Sequence, residues 1–117
     1  MRSPTSNMTT NRKRVLIDFD GVLKQRGKGR NALPIEGAIG AMRGLKQLGY
    51  EVVIFTTRAI DGPAEIQYVA DWLSKNGIGY DSITDKKLPA EYYIDDKAVE
   101  FKGNWAQTLE RIQDGQV

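Results

Sequence analysis

The chain has 117 residues, 40% of them hydrophobic, with 17 Lys and Arg against 15 Asp and Glu. It contains neither cysteine nor histidine, which excludes disulfides, thiolate nucleophiles, zinc sites of the usual His/Cys kind and serine–histidine triads. The catalytic vocabulary left is Asp, Glu, Lys, Arg, Ser, Thr and Tyr, and the lack of cysteine suits a reducing compartment.

This length makes one domain with one core and leaves little for an added lid domain. Residues 1–13 are expected to form a disordered tail and 14–117 the single domain. The first fourteen residues carry Arg2, Arg12, Lys13 and Arg14, no acid and several Ser and Thr, without the apolar run of a secretory signal. Setting those four aside leaves 13 basic against 15 acidic residues, so the overall +2 is no argument for nucleic-acid binding. No stretch reaches transmembrane length, and the expectation is a cytoplasmic protein with no membrane partner.

Val15 to Ile17 is an all-apolar run, as expected of a central parallel strand covered on both faces. From Ile35 the apolar positions 35, 38, 39, 42, 45 and 48 form one face of a helix that Pro34 opens and Gly49 closes. Glu51 to Thr56 is a second buried strand. Pro63 opens another helix with Ile66, Val69, Ala70 and Leu73 on one face, stopped by Asn76-Gly77. Tyr80 to Ile83 and Tyr92 to Ile94 are two further short strands, and Asn104 caps a last helix that turns Trp105, Leu109 and Ile112 inward. Alternating strands and helices predict a doubly wound, three-layer α/β/α domain around a parallel sheet.

In such a sheet ligands gather beyond the carboxyl ends of the strands, where the chain order reverses. Asp18, Thr56 and Asp95 each follow an apolar run, and all three converge if the first strand lies between the second and the fourth. Singly, each is an ordinary turn or cap residue. Jointly, Asp18-Phe19-Asp20-Gly21, Thr56, Lys87 and Asp95-Asp96 supply what moving a phosphoryl group with magnesium requires.

These four pieces, in this order and spacing, resemble the four motifs of the haloacid dehalogenase superfamily, specifically its Asp-x-Asp phosphatases. The resemblance spans nearly all of residues 14–112. Tyr93-Ile94-Asp95-Asp96-Lys97-Ala98, followed by Phe101, Gly103 and Trp105, also resembles small capless members from phages and bacteria. It implies a magnesium-dependent phosphomonoester hydrolase in which Asp18 attacks phosphorus and Asp20 serves as general acid and then base. Asp20 also argues for phosphatase over dehalogenase chemistry. It implies further that Asp18, the backbone carbonyl of Asp20 and Asp95 hold Mg2+, with Asp96 behind them, while Thr56 and Lys87 bind the phosphoryl oxygens. Metal is expected to hold Asp18 ionised, and a negative neighbourhood to favour a proton on Asp20. Lys86 competes with Lys87; the resembling proteins place their lysine eight residues before the acidic pair, which selects Lys87, although Leu88 here intervenes before Pro89.

Neither the interval from Asp20 to Thr56 nor that from Thr56 to Lys87 has room for a cap domain, so an open site is expected, with Lys24 to Leu33 as a short flap. Its Lys24, Arg26, Lys28 and Arg30 are either solvated loop charges or cations that attract a polyanion. They do not form a P-loop. Arg58 could meet a distal substrate group or form a salt bridge. The substrate class is open: nucleotide, sugar phosphate, polynucleotide end or phosphoprotein, with nucleic acid entering only as substrate. Two other classes remain beside the enzyme: a signalling module that accepts phosphate on aspartate, whose usual motif order is the reverse of this one, and a nucleic-acid-binding or structural module with incidental carboxylates.

Overall fold

A computed structural model describes residues 13–115. The proposed tail lies outside this range except for Lys13, whose carbonyl accepts a 2.7 Å hydrogen bond from the Glu51 amide. Four strands form one parallel sheet: β1 (Arg14–Asp18), β2 (Glu51–Phe55), β3 (Ser82–Thr84) and β4 (Tyr92–Ile94), in the order β3-β2-β1-β4. Asp18 stands opposite Phe55 across the β1–β2 pair, and Ile17 stands opposite Ile94 across the β1–β4 pair. The first strand is therefore central, as convergence of the strand ends requires.

The α/β class follows from how the strands and helices bury their apolar positions. Val15, Ile17, Val52 and Ile54 share one sheet face by alternation and register, and all four are buried. Ala38 and Met42 of helix α1 (Ala38–Gln47) and Val69, Trp72 and Leu73 of helix α2 (Pro63–Lys75) join them in a single core, so both helices pack on that face. Leu73 is fully buried, a contribution of roughly 1.5–3 kcal/mol relative to exposure. Trp72 packs edge-on against Phe19 at 5.2 Å between ring centroids, and its indole N–H donates to the Ala32 carbonyl at 2.9 Å. That bond ties the base of the flap to α2. No further domain is inserted among the described residues, in keeping with a capless α/β fold.

Three local expectations are corrected. Helix α1 begins at Ala38 rather than Ile35, because the Ile35 amide donates to the Leu23 carbonyl at 2.8 Å and Pro34 pairs with Lys24 in a short antiparallel bridge. Pro34 thus closes the flap, and Gly37, with φ 88, makes the turn into the helix. Strand β3 begins at Ser82, not Tyr80.

The third correction concerns helix α3 (Trp105–Gln113). Asn104 caps it as expected, its side chain accepting from the Gln107 amide at 3.0 Å. Yet Trp105, Leu109 and Ile112 are 75%, 55% and 52% exposed, not inward. The helix instead leans on its own leading loop: Thr108 is the residue it buries, Arg111 donates to the Glu100 carbonyl, and Trp105 packs at a tilt against Phe101, ring centroids 4.9 Å apart. Among the described residues, no helix is long and apolar enough to cross a membrane.

Candidate active site

Strand β1 leads to β2 on one side while β4 lies on its other side, so the crevice between the ends of β1 and β4 is the switch point of this sheet. Asp18 closes β1, and Asp95 and Asp96 directly follow β4. One carboxylate oxygen from each of the three lies within 4.8 Å of the others. The pairing register brings them together, since Ile17 opposite Ile94 places the next residue of each strand side by side.

Such crowding has an electrostatic consequence. Burial, and then the charge of Asp95, push the Asp18 carboxyl up to about 6, against the Phe19 amide that donates to its Oδ1 at 3.0 Å. Oxygen donors are the preferred partners of a hard divalent cation. The three carboxylates and the Asp20 carbonyl make an all-oxygen donor set, and a guanidinium, that of Arg26, already lies against Asp96 and the Asp20 carbonyl. These residues fit Mg2+.

Asp20 sits differently from expectation. Its neighbourhood is positive: Arg58 Nε and Nη2 donate to Oδ2 and Oδ1 at 2.8 and 3.2 Å, and Lys24 Nζ lies 3.7 Å from Oδ1. Although burial pushes this carboxyl up, the Arg58 hydrogen bonds and the charges of Arg58, Lys24 and Arg26 carry it below the usual carboxylate range. The Asp18 carboxyl therefore titrates above that of Asp20, whereas the expected ordering, an ionised Asp18 beside a protonated Asp20, presupposes a bound metal. Burial and the neighbouring acids Asp95 and Asp96 raise Asp18, while bases surround Asp20.

Thr56, 3% exposed, directly follows β2 on the other flank of β1. It caps a 3-10 turn at Thr57–Asp61, its hydroxyl oxygen accepting from the Arg58 amide at 3.2 Å and keeping its proton for another acceptor. Lys87 shares a cavity of about 130 Å³ with Asp18, Phe55, Tyr93 and Asp95, and its Nζ lies 4.9 Å from the Tyr93 ring centroid. The Lys86 side chain is 75% exposed, with its Nζ 3.9 Å from Asp85 Oδ2. Asp95 accepts from the Lys97 amide through Oδ1 at 2.7 Å, which fixes the carboxylate at the turn.

The flap cations separate into distinct environments. Lys24 is 3% exposed and held at Asp20, Arg26 lies on Asp96, and Arg30 pairs with Glu65 at 3.0 Å, so these three are not free loop charges; Lys28 is exposed. Glu65 was not singled out from the sequence. It links Arg30 to Arg58, whose Nη1 lies 3.1 Å from its Oε1, and both guanidinium groups stand over the Tyr68 ring at 3.8 and 5.2 Å. The available signal was an acid in the first turn of a helix whose N-terminus faces the strand ends.

No protein-family model matches the chain, and no curated protein matches it. Among solved structures it is similar to a conserved protein from Bacteroides thetaiotaomicron, with 19% identity and a TM-score of 0.64 over 92% of this chain and 94% of that one. That likeness shows the α/β fold alone.

Proposed function

We propose that the chain is a magnesium-dependent phosphomonoester hydrolase of the haloacid dehalogenase type. The observation that supports this most is the meeting of Asp18 with Asp95 and Asp96 at the switch point, ligand atoms within 4.8 Å, on a sheet whose neighbouring strand is followed directly by Thr56.

Asp18, Asp95 and the Asp20 carbonyl would hold Mg2+, with Asp96 beside them; when bound, the ion neutralises the carboxylates and the phosphoryl oxygens they approach. The Asp18 carboxylate attacks phosphorus, the bond from phosphorus to the ester oxygen breaks, and an aspartyl-phosphate forms as the alcohol leaves. Asp20 gives the leaving oxygen its proton, then takes one from the water that attacks the aspartyl-phosphate and releases inorganic phosphate. The Arg58 grip leaves Asp20 ionised and ready for the second step. An arriving phosphoryl group is itself an acceptor for Arg58, and each hydrogen bond it draws from Asp20 moves that carboxyl toward the protonated form the first step needs. The Thr56 hydroxyl and Lys87 ammonium bind the equatorial oxygens, where charge resides throughout transfer.

The test is release of p-nitrophenol from p-nitrophenyl phosphate, followed by a panel of phosphorylated metabolites to find the substrate class. Turnover that requires magnesium, stops with chelator and disappears in Asp18→Asn supports the proposal. Equal turnover by folded Asp18→Asn, or none from any phosphomonoester with magnesium, removes it.

A further inference from the structure

Arg26 stands on the flap six residues after Asp20, and its side chain reaches back into the acidic site. Its Nη2 donates to the Asp20 carbonyl at 2.7 Å, while Nε and Nη2 donate to Asp96 Oδ2 and Oδ1 at 3.3 Å each. The side chain is 47% exposed, so the contact is reached from solvent rather than locked in the core. Gly21 makes room for it: a Cβ at that position would lie 2.9 Å from Arg26 Nε and would also collide with the Asp96 carboxylate, and φ is 86 there. A side chain in place of Gly21 would close the space that brings Arg26 and Asp96 together.

We propose that Arg26 is an exchangeable internal cation of the metal site, seated on the Asp20 carbonyl and Asp96 when no metal is bound and displaced by the incoming divalent ion. This rests on the proposed magnesium site. Three clustered carboxylates repel one another, and a guanidinium, which keeps its charge at any working pH, relieves part of that repulsion. Magnesium needs near-octahedral oxygens at about 2.0–2.1 Å, a geometry that the guanidinium hydrogen bonds on the same oxygens obstruct by both charge and direction. The other basic groups near Asp20 are held differently. Lys24 and Arg58 bind its carboxylate and not its carbonyl, and so stay in place when metal arrives. Metal loading and release of the flap from the site are then one event, and Arg26 is freed beside the anionic substrate as the metal takes its seat.

The test uses the whole chain, with magnesium alone and no substrate. Calorimetric titration of wild type, Arg26→Gln and Arg26→Lys compares affinities. Removing the charge in Arg26→Gln should tighten magnesium binding roughly fivefold or more, the low end of typical coupling between two sites, while Arg26→Lys stays close to wild type. Limited trypsin digestion of wild type gives a second readout. Magnesium should speed cleavage after the exposed Lys28, opposite to the protection ligands usually confer. Unchanged or weaker affinity in Arg26→Gln, or slower cleavage with magnesium, overturns the exchange and leaves the phosphatase proposal standing. Absence of magnesium binding by every one of these proteins overturns both.

Discussion

Arg58 grips Asp20 with two prongs, Nε on one carboxylate oxygen at 2.8 Å and Nη2 on the other at 3.2 Å, and reaches Glu65 with its third nitrogen at 3.1 Å. A fork of this kind fixes orientation as well as charge. The 3-10 turn that follows Thr56 makes it possible, since the Arg58 amide is held on the Thr56 hydroxyl while its side chain spans back to the β1 loop. Thr56 and Asp20, to which the proposed mechanism gives phosphate binding and acid–base transfer, are thereby positioned through one residue.

Replacing Arg58 by Gln should destabilise the protein near neutral pH by about 1–2 kcal/mol, the range for a partly exposed charge-assisted pair. The Asp20 carboxyl lies below its unfolded value of 3.8, so the stability it contributes is present above that pH and lost as pH falls through the folded value. The penalty of Arg58→Gln should therefore shrink at pH 3 and below. Denaturant unfolding of both proteins at pH 7 and pH 3 measures it; an equal penalty at both would place the effect in packing rather than in the ion pair.

Asp18→Asn is expected to abolish turnover yet raise the thermal stability of the metal-free protein. The Asp18 carboxyl is pushed from 3.8 up to about 6, chiefly by burial and then by Asp95, so its ionised form is disfavoured in the fold. For a raised acid, stability is greatest below 3.8 and declines as pH climbs through 6. The amide escapes that decline and can still accept the Phe19 N–H. Melts in chelator should show Asn above Asp by several degrees at pH 8, with the gap closing near pH 4. No gap at pH 8 would mean that the acidic cluster is already relieved in solution.

The meeting of the β1 and β4 ends was legible in outline, because the placement of carboxylates after apolar runs signals strand ends and a first strand lying between the second and the fourth brings such ends together. That Lys87 lines the cavity beside Asp18 could be anticipated only through the resemblance, since Lys86 and Lys87 both stand in a polar loop. What local pattern could not supply was pairing between distant charges. Arg58 could be read as a salt bridge or a substrate contact; which of them holds depends on the turn at Thr57–Asp61, and no periodicity announces a turn of that kind. Trp105, Leu109 and Ile112 fail for a different reason: spacing gives an amphipathic helix but not the surface it meets, and this helix is held by Asn104 and Glu100 on its own loop.

Within the acidic pair, Asp95→Asn should raise the magnesium requirement at least roughly tenfold more than Asp96→Asn. Asp95 accepts from the Lys97 amide through Oδ1 alone, whereas both oxygens of Asp96 accept from Arg26. Losing the Asp96 charge also loosens Arg26, and that partly offsets the loss of a nearby carboxylate. Magnesium activation curves for the two variants give the ordering. A greater requirement in Asp96→Asn would exchange the roles of the pair without moving the site.

Replacing the four flap cations one at a time should give unequal results, because their surroundings differ. Lys24, 3% exposed with its ammonium 3.7 Å from Asp20 and its backbone bridged to Pro34, is part of the folded frame. Lys24→Ser leaves Asp20 with one fewer base and opens a buried space, and should lower both stability and kcat for every substrate. Lys28 is exposed between two glycines with positive φ, so Lys28→Ser should leave stability and the turnover of small aryl phosphates unchanged. If Lys28 steers polyanions, its loss lowers kcat/KM for highly charged substrates alone, and added salt erases the difference, since exposed charges are screened over about 10 Å at roughly 0.1 M ionic strength. Stability measurements paired with kcat/KM on one small and one highly charged phosphomonoester separate the two residues. Equal effects at Lys24 and Lys28 would return the flap to a uniformly solvated loop.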